Sequence, residues 1–84
     1  MVDINMACEL AIQNSPTERV AMITDIGHSF VLGMVGVHGE EIDQSPLMVN
    51  KQTGVVSVCF PPEHWRELRK GRLVDTPKAY QPIT

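Results

Sequence analysis

The stretch LMVNKQTGVVSVCF, residues 47 to 60, constrains the fold more than any other part of the chain. Two apolar runs flank a polar, glycine-ended turn, and PPEHWRELRKG follows at once. Lys51-Gln52-Thr53-Gly54 fits a type I turn with glycine in the left-handed position, a common hairpin solution. Alternation beyond the turn points Val56, Val58 and Phe60 one way and Val55, Ser57 and Cys59 the other, and the first set is expected to face the core. Pro61 and Pro62 stop the strand and open a helix, with Glu63 near its positive end and Arg66, Arg69 and Lys70 towards its negative end. Gly71 is a natural stop. Trp65 and Leu68 are that helix's only large apolar pair, so it is expected to lie on the sheet by a narrow stripe.

The rest of the chain supplies what such a hairpin needs for a core. Asp3 can cap a helix over residues 4 to 13, in which Ile4, Ala7, Cys8, Ala11 and Ile12 form one apolar stripe. Asn14-Ser15-Pro16 ends it, because the residue before proline avoids the helical region. RVAMITDI (19 to 26) and SFVLGMVGV (29 to 37) read as strands joined by a turn at Asp25, Gly27 and His28. In the second of these, Gly33 and Gly36 suggest a bulge or a close approach by the first helix. HGEEIDQSP (38 to 46) is an acidic loop with Glu40, Glu41 and Asp43, and Pro46 opens the third strand. The expected fold class is α+β: an N-terminal helix packed on a three- to four-stranded antiparallel meander, with a short C-terminal helix. Residues 1 to 75 form the domain, and TPKAYQPIT, 76 to 84, is expected as an extended or frayed tail.

With 84 residues the chain is a single small domain, and 43% hydrophobic against 20% charged residues is a globular composition. A net charge of −3 argues against a protein whose task is neutralising phosphate backbones, so nucleic acid is not the expected partner. The N-terminal segment lacks the basic start and long apolar run of a secretory signal, and FVLGMVGV is too short to span a bilayer; a cytoplasmic protein with no membrane partner is expected. Cys8 and Cys59 then read as buried thiols rather than a disulfide.

No constellation spells out a reaction. Cys59 and His64 flank the strand-to-helix junction but have no evident third partner or oxyanion hole. Asp25, His28 and Ser29 are triad residue types, yet sequence neighbours rarely have triad geometry, and Asp and His are ordinary turn residues. His28, His38, His64, Cys8 and Cys59 follow no short metal-ligand spacing, and the glycines of GMVGVHG match no phosphate-binding fingerprint, so no cofactor is expected. WRELRKGR joins Trp65 to Arg66 and Arg69, residue types favoured at interaction hot spots. The acidic loop is an opposite pole suited to a basic partner. Glu40, Glu41, Asp43, Trp65, Arg66 and Arg69 are therefore the expected contact residues for another protein, and the chain is expected not to be an enzyme. The alternatives are a homodimeric or larger scaffold, an accessory subunit, and a small enzyme or ligand-binding protein using Cys59 and His64.

The order of elements and the V-N-K-Q-T-G-V-V of residues 49 to 56 resemble the V-D-x-x-T-G-x-V hairpin of small bacterial immunity proteins of the YrhB-like type. Those too begin with an amphipathic helix and continue as a short antiparallel meander; the resemblance covers residues 4 to 60. Asn50 stands where that pattern has aspartate, and the helix after Pro61 lies outside it. The turn is also similar to that of PepSY-type inhibitory domains. The resemblance implies a protein that occludes a toxin domain, an immunity protein or antitoxin, with Asn50, Lys51, Thr53 and Gly54 structural and no catalytic residue.

Overall fold

The computed structural model describes residues 1–83. Its first element, α1 (Ile4–Asn14), is started by Asp3, whose carboxylate accepts the Met6 N–H at 2.8 Å. The Ser15 N–H bonds the carbonyls of Ala11 and Ile12 and closes its other end. Four strands follow as a meander: β1 (Glu18–Asp25), β2 (Ser29–Gly36), β3 (Leu47–Asn50) and β4 (Val56–Val58). After β4 the chain forms a 3-10 turn over Pro61–His64, then α2 (Trp65–Lys70), then a fifth strand, β5 (Arg72–Val74). The sheet has the order β4-β3-β2-β1-β5 and every pairing is antiparallel. The class is α+β, as expected, with one strand more than the sequence suggests. Because β5 lies beyond β1, the segment from Cys59 to Gly71 crosses from one edge of the sheet to the other.

Helix α1 covers one face. Ala7, Cys8 and Ala11 are fully buried against Val20, Ile23, Leu32, Leu47 and Val49, and Phe30 and Met34 complete the cluster. Each fully buried Leu or Ile here contributes about 2 kcal/mol of transfer free energy. Val20 and Ile23 face the same side, although they are an odd number of residues apart, because β1 bulges between Val20 and Met22. The bulge thus lies in β1, opposite Gly33, where a Cβ would make only ordinary contact with Met22. At Gly36 the close neighbour is not the helix but the Glu40 carboxylate, within 2.7 Å of where a Cβ would stand.

The turn after β3 is built as the sequence indicates. Gly54 has φ +73°, and the Asn50 side chain accepts the Gln52 and Thr53 N–H groups at 2.9 and 3.0 Å. The side chains beyond it are not placed as expected. Val56 packs on the core, but Val58 and Phe60 are 63% and 53% exposed, whereas Cys59 is fully buried. β4 is a three-residue strand at the sheet edge, and the chain turns away after it. The crossover covers Cys59 on the face opposite α1, while Val58 and Phe60 stay open to solvent. Trp65 is likewise 60% exposed and no residue of α2 is fully buried, so of the expected Trp65–Leu68 stripe only Leu68 is half-buried.

The C-terminal segment is tied down rather than frayed. Lys78–Tyr80 form a 3-10 turn, Tyr80 packs against the core and its hydroxyl donates to Glu9, and the Ile83 N–H bonds Val37. Arg19 donates to the Ala79 carbonyl.

Candidate functional site

The face opposite α1 carries a chain of hydrogen bonds that fastens the crossover. His28 sits in the turn between β1 and β2, where Gly27 at φ +98° lets the backbone reverse and the Asp25 carboxylate accepts the Gly27 N–H. Its Nδ1 lies 2.8 Å from the Ser29 hydroxyl and its Nε2 lies 2.6 Å from Oε2 of Glu67 on α2. The other oxygen of Glu67 is 2.8 Å from Nδ1 of His64. One set of protons satisfies the whole chain: Ser29 donates to His28, and both imidazoles donate to the carboxylate. Bonds from His64 first and His28 second hold the Glu67 carboxyl below its ordinary range.

Beside this chain an open groove of about 520 Å³ runs between the β1–β2 turn and α2, lined by Asp25, Ile26, Gly27, Glu67, Lys70, Gly71 and Arg72. Its carboxylates are engaged. Asp25 pairs with Lys51 at 2.7 Å, and that bond above all keeps its carboxyl low. Lys51 also lies over the Phe30 ring, 4.7 Å from the centroid. Gly71 passes so close to Thr24 that a Cβ there would stand 2.6 Å from its methyl group and press on the Asp25 carbonyl at 3.1 Å.

The residue types that read as triad components at 25, 28 and 29 do meet in part. His28 bonds Ser29, but its carboxylate partner is Glu67, not Asp25. Ser29 is 1% exposed, so its hydroxyl does not reach a surface on which a substrate can sit. His64 is turned to Glu67, and burial, followed by the Glu67 charge, pushes the Cys59 thiol up. That shift is opposite to the thiolate activation a cysteine nucleophile requires. Burial pushes the Cys8 thiol to about 11. Both cysteines are free and buried. Among the described residues no group of three or more His, Cys, Asp and Glu is placed to hold a metal ion.

The two charged segments occupy opposite ends of the sheet. Glu67 touches His28 just before β2, whereas Glu40, Glu41 and Asp43 follow the far end of that eight-residue strand, on the order of 25 Å away. Glu40 is partly engaged, its carboxylate accepting the His38 N–H at 2.6 Å, while Glu41 and Asp43 are exposed. Arg66 and Arg69 are exposed on α2 with Trp65, and together with Lys70 the two arginines line a shallow depression. The apolar surface missed from the sequence is the β4 edge, where Val55, Val58 and Phe60 are more than half exposed. Its signal was the absence of any charge from Thr53 to Pro62.

No family model, curated protein or solved structure matches this chain. No helix among the described residues is long and apolar enough to cross a membrane.

Proposed function

We propose that this chain is a small protein-binding protein of the immunity-protein or antitoxin kind, one that neutralises a partner by covering part of its surface. The observation that carries this is Trp65, 60% exposed on a short helix none of whose residues is fully buried, with the exposed Arg66 and Arg69 beside it. A tryptophan with no duty in the core and two neighbouring guanidiniums has the composition of an interface anchor. The surface fits a partner whose contact patch is apolar at its centre and acidic at its rim. Glu41 and Asp43, at the other end of the sheet, act as a rim that steers a basic region of the same partner.

The test is capture of a stoichiometric partner from host lysate, followed by affinity measurement with purified components. Trp65→Ala is expected to weaken binding by about 2 kcal/mol, roughly thirtyfold, with an unchanged unfolding midpoint. Glu41→Lys with Asp43→Lys is expected to slow association and flatten its salt dependence. Full affinity in Trp65→Ala and in the double replacement Arg66→Ala, Arg69→Ala would remove α2 from the interface.

A further inference from the structure

The two edges of the sheet differ in how they are protected against strand addition. β5 presents Arg72, 81% exposed, and is followed by Asp75. Charged side chains of this kind blunt an open edge. β4 has none: it pairs only with β3, and no Lys, Arg, Asp or Glu occurs from Thr53 to Pro62.

The phase of the β3–β4 ladder fixes which backbone groups are left over. The Asn50 N–H bonds the Val55 carbonyl and the Cys59 N–H bonds the Pro46 carbonyl. In an antiparallel pair the bonded positions alternate, so Val55, Ser57 and Cys59 turn their polar groups inward to β3. Val56 and Val58 therefore turn their N–H and C=O groups outward, away from the sheet. Spaced by two, these residues are self-complementary under a two-fold axis through Ser57.

We infer that β4 is a homodimerisation edge on which the β4 of a second copy of this chain pairs antiparallel about Ser57, joining two sheets into one. In that register Val56 faces Val58 of the partner subunit, each such pair exchanges both of its backbone bonds, and Ser57 faces Ser57 of the partner subunit as the close, non-bonded pair at the axis. The side chains are compatible with this. Val58, exposed in the single chain, meets Val56 of the partner subunit on the α1 face, and no like charges are brought together along the uncharged edge. A second copy fits where a charged strand would not, because an uncharged edge gives a charged one no counter-ion. This assembly does not depend on the partner-binding role of α2.

The full chain provides the test. Light scattering from micromolar to millimolar concentration is expected to show twice the chain mass, and Ser57→Lys, which puts two ammonium groups face to face at the axis, to raise the dissociation constant at least tenfold. Ser57 is exposed, so folding of that variant is verified by an unchanged unfolding midpoint. Ser57→Cys is expected to give a disulfide-linked dimer under mild oxidation, since non-bonded antiparallel pairs bring Cα atoms to about 4.5 Å, within disulfide reach. Gln13→Cys, exposed on α1, is expected not to cross-link. A monomer throughout the range, or a dimer that Ser57→Lys leaves intact and Ser57→Cys fails to lock, overturns the inference. So does a monomer whose binding of a different protein is lost in Ser57→Lys, an outcome that gives the edge to a foreign strand.

Discussion

On one face of the sheet Ala7, Cys8 and Ala11 of α1 are completely enclosed by strand side chains, whereas on the other no residue of α2 is fully buried and Glu67 ties the helix to His28, with His64 of the preceding turn on the same carboxylate. The first attachment draws on apolar area and close packing, which no single polar substitution can replace. The second combines a few polar contacts on partly exposed groups, whose net worth in water is small, with the half-buried Leu68 and a smaller set of enclosed side chains, Ser29, Val31 and Cys59. Stability therefore resides on the α1 face, and the face that carries Trp65, Arg66 and Arg69 is the one that can be altered at little cost.

Leu32→Ala is the severest way to break that contrast. Leu32 is fully buried beneath α1, and its truncation is expected to lower the unfolding free energy by about 2 to 5 kcal/mol in urea titration. A comparable loss from any single α2 substitution would abolish the distinction between the faces. Asp3→Ala removes the only side-chain cap of α1 and is expected to cost about 1 kcal/mol by the same measurement.

The smallest global effect is expected from Glu67→Gln, which should leave the urea midpoint nearly unchanged yet increase amide exchange over residues 61 to 70. Acid sharpens this comparison. The folded Glu67 carboxyl sits below its ordinary value of 4.5, so its contribution is fully present above that value and is lost as pH falls through the lower folded one. Asp25 acts in the same sense, below its ordinary 3.8. The protection factor over residues 61 to 70, which is free of the intrinsic pH dependence of amide exchange, is expected to fall on acidification in the parent chain and to change much less in Glu67→Gln.

How legible each region was in the sequence follows the same division. Helix α1, the first hairpin and the turn at Asn50–Gly54 were readable because capping, alternation and glycine chemistry are local and agree with one another. β5 was not: Arg72, Leu73 and Val74 carry no turn signal or alternation, and only their pairing with β1 makes them a strand. The exposure of Val58, Phe60 and Trp65 was hidden for a related reason. Alternation indicates which way a side chain points from a strand, but not whether anything lies over it at a sheet edge. Of the site, His28 and Ser29 were visible as a pair of chemically capable neighbours. Glu67 was not, because its meeting with them depends on the crossover.

That crossover also sets an order of events in assembly. β1 to β4 are consecutive antiparallel neighbours, two of their three connections being tight turns, and can zip up one after another, with α1 condensing on them from the adjoining segment. Asp25 and Arg72, by contrast, become neighbours only by closing a loop that contains the whole of the meander. The entropy of that closure is spent before any contact of β5 repays it. The last strand, and with it α2, is thus expected to dock late onto an already formed four-stranded platform, and to be the first part to leave when the chain unfolds.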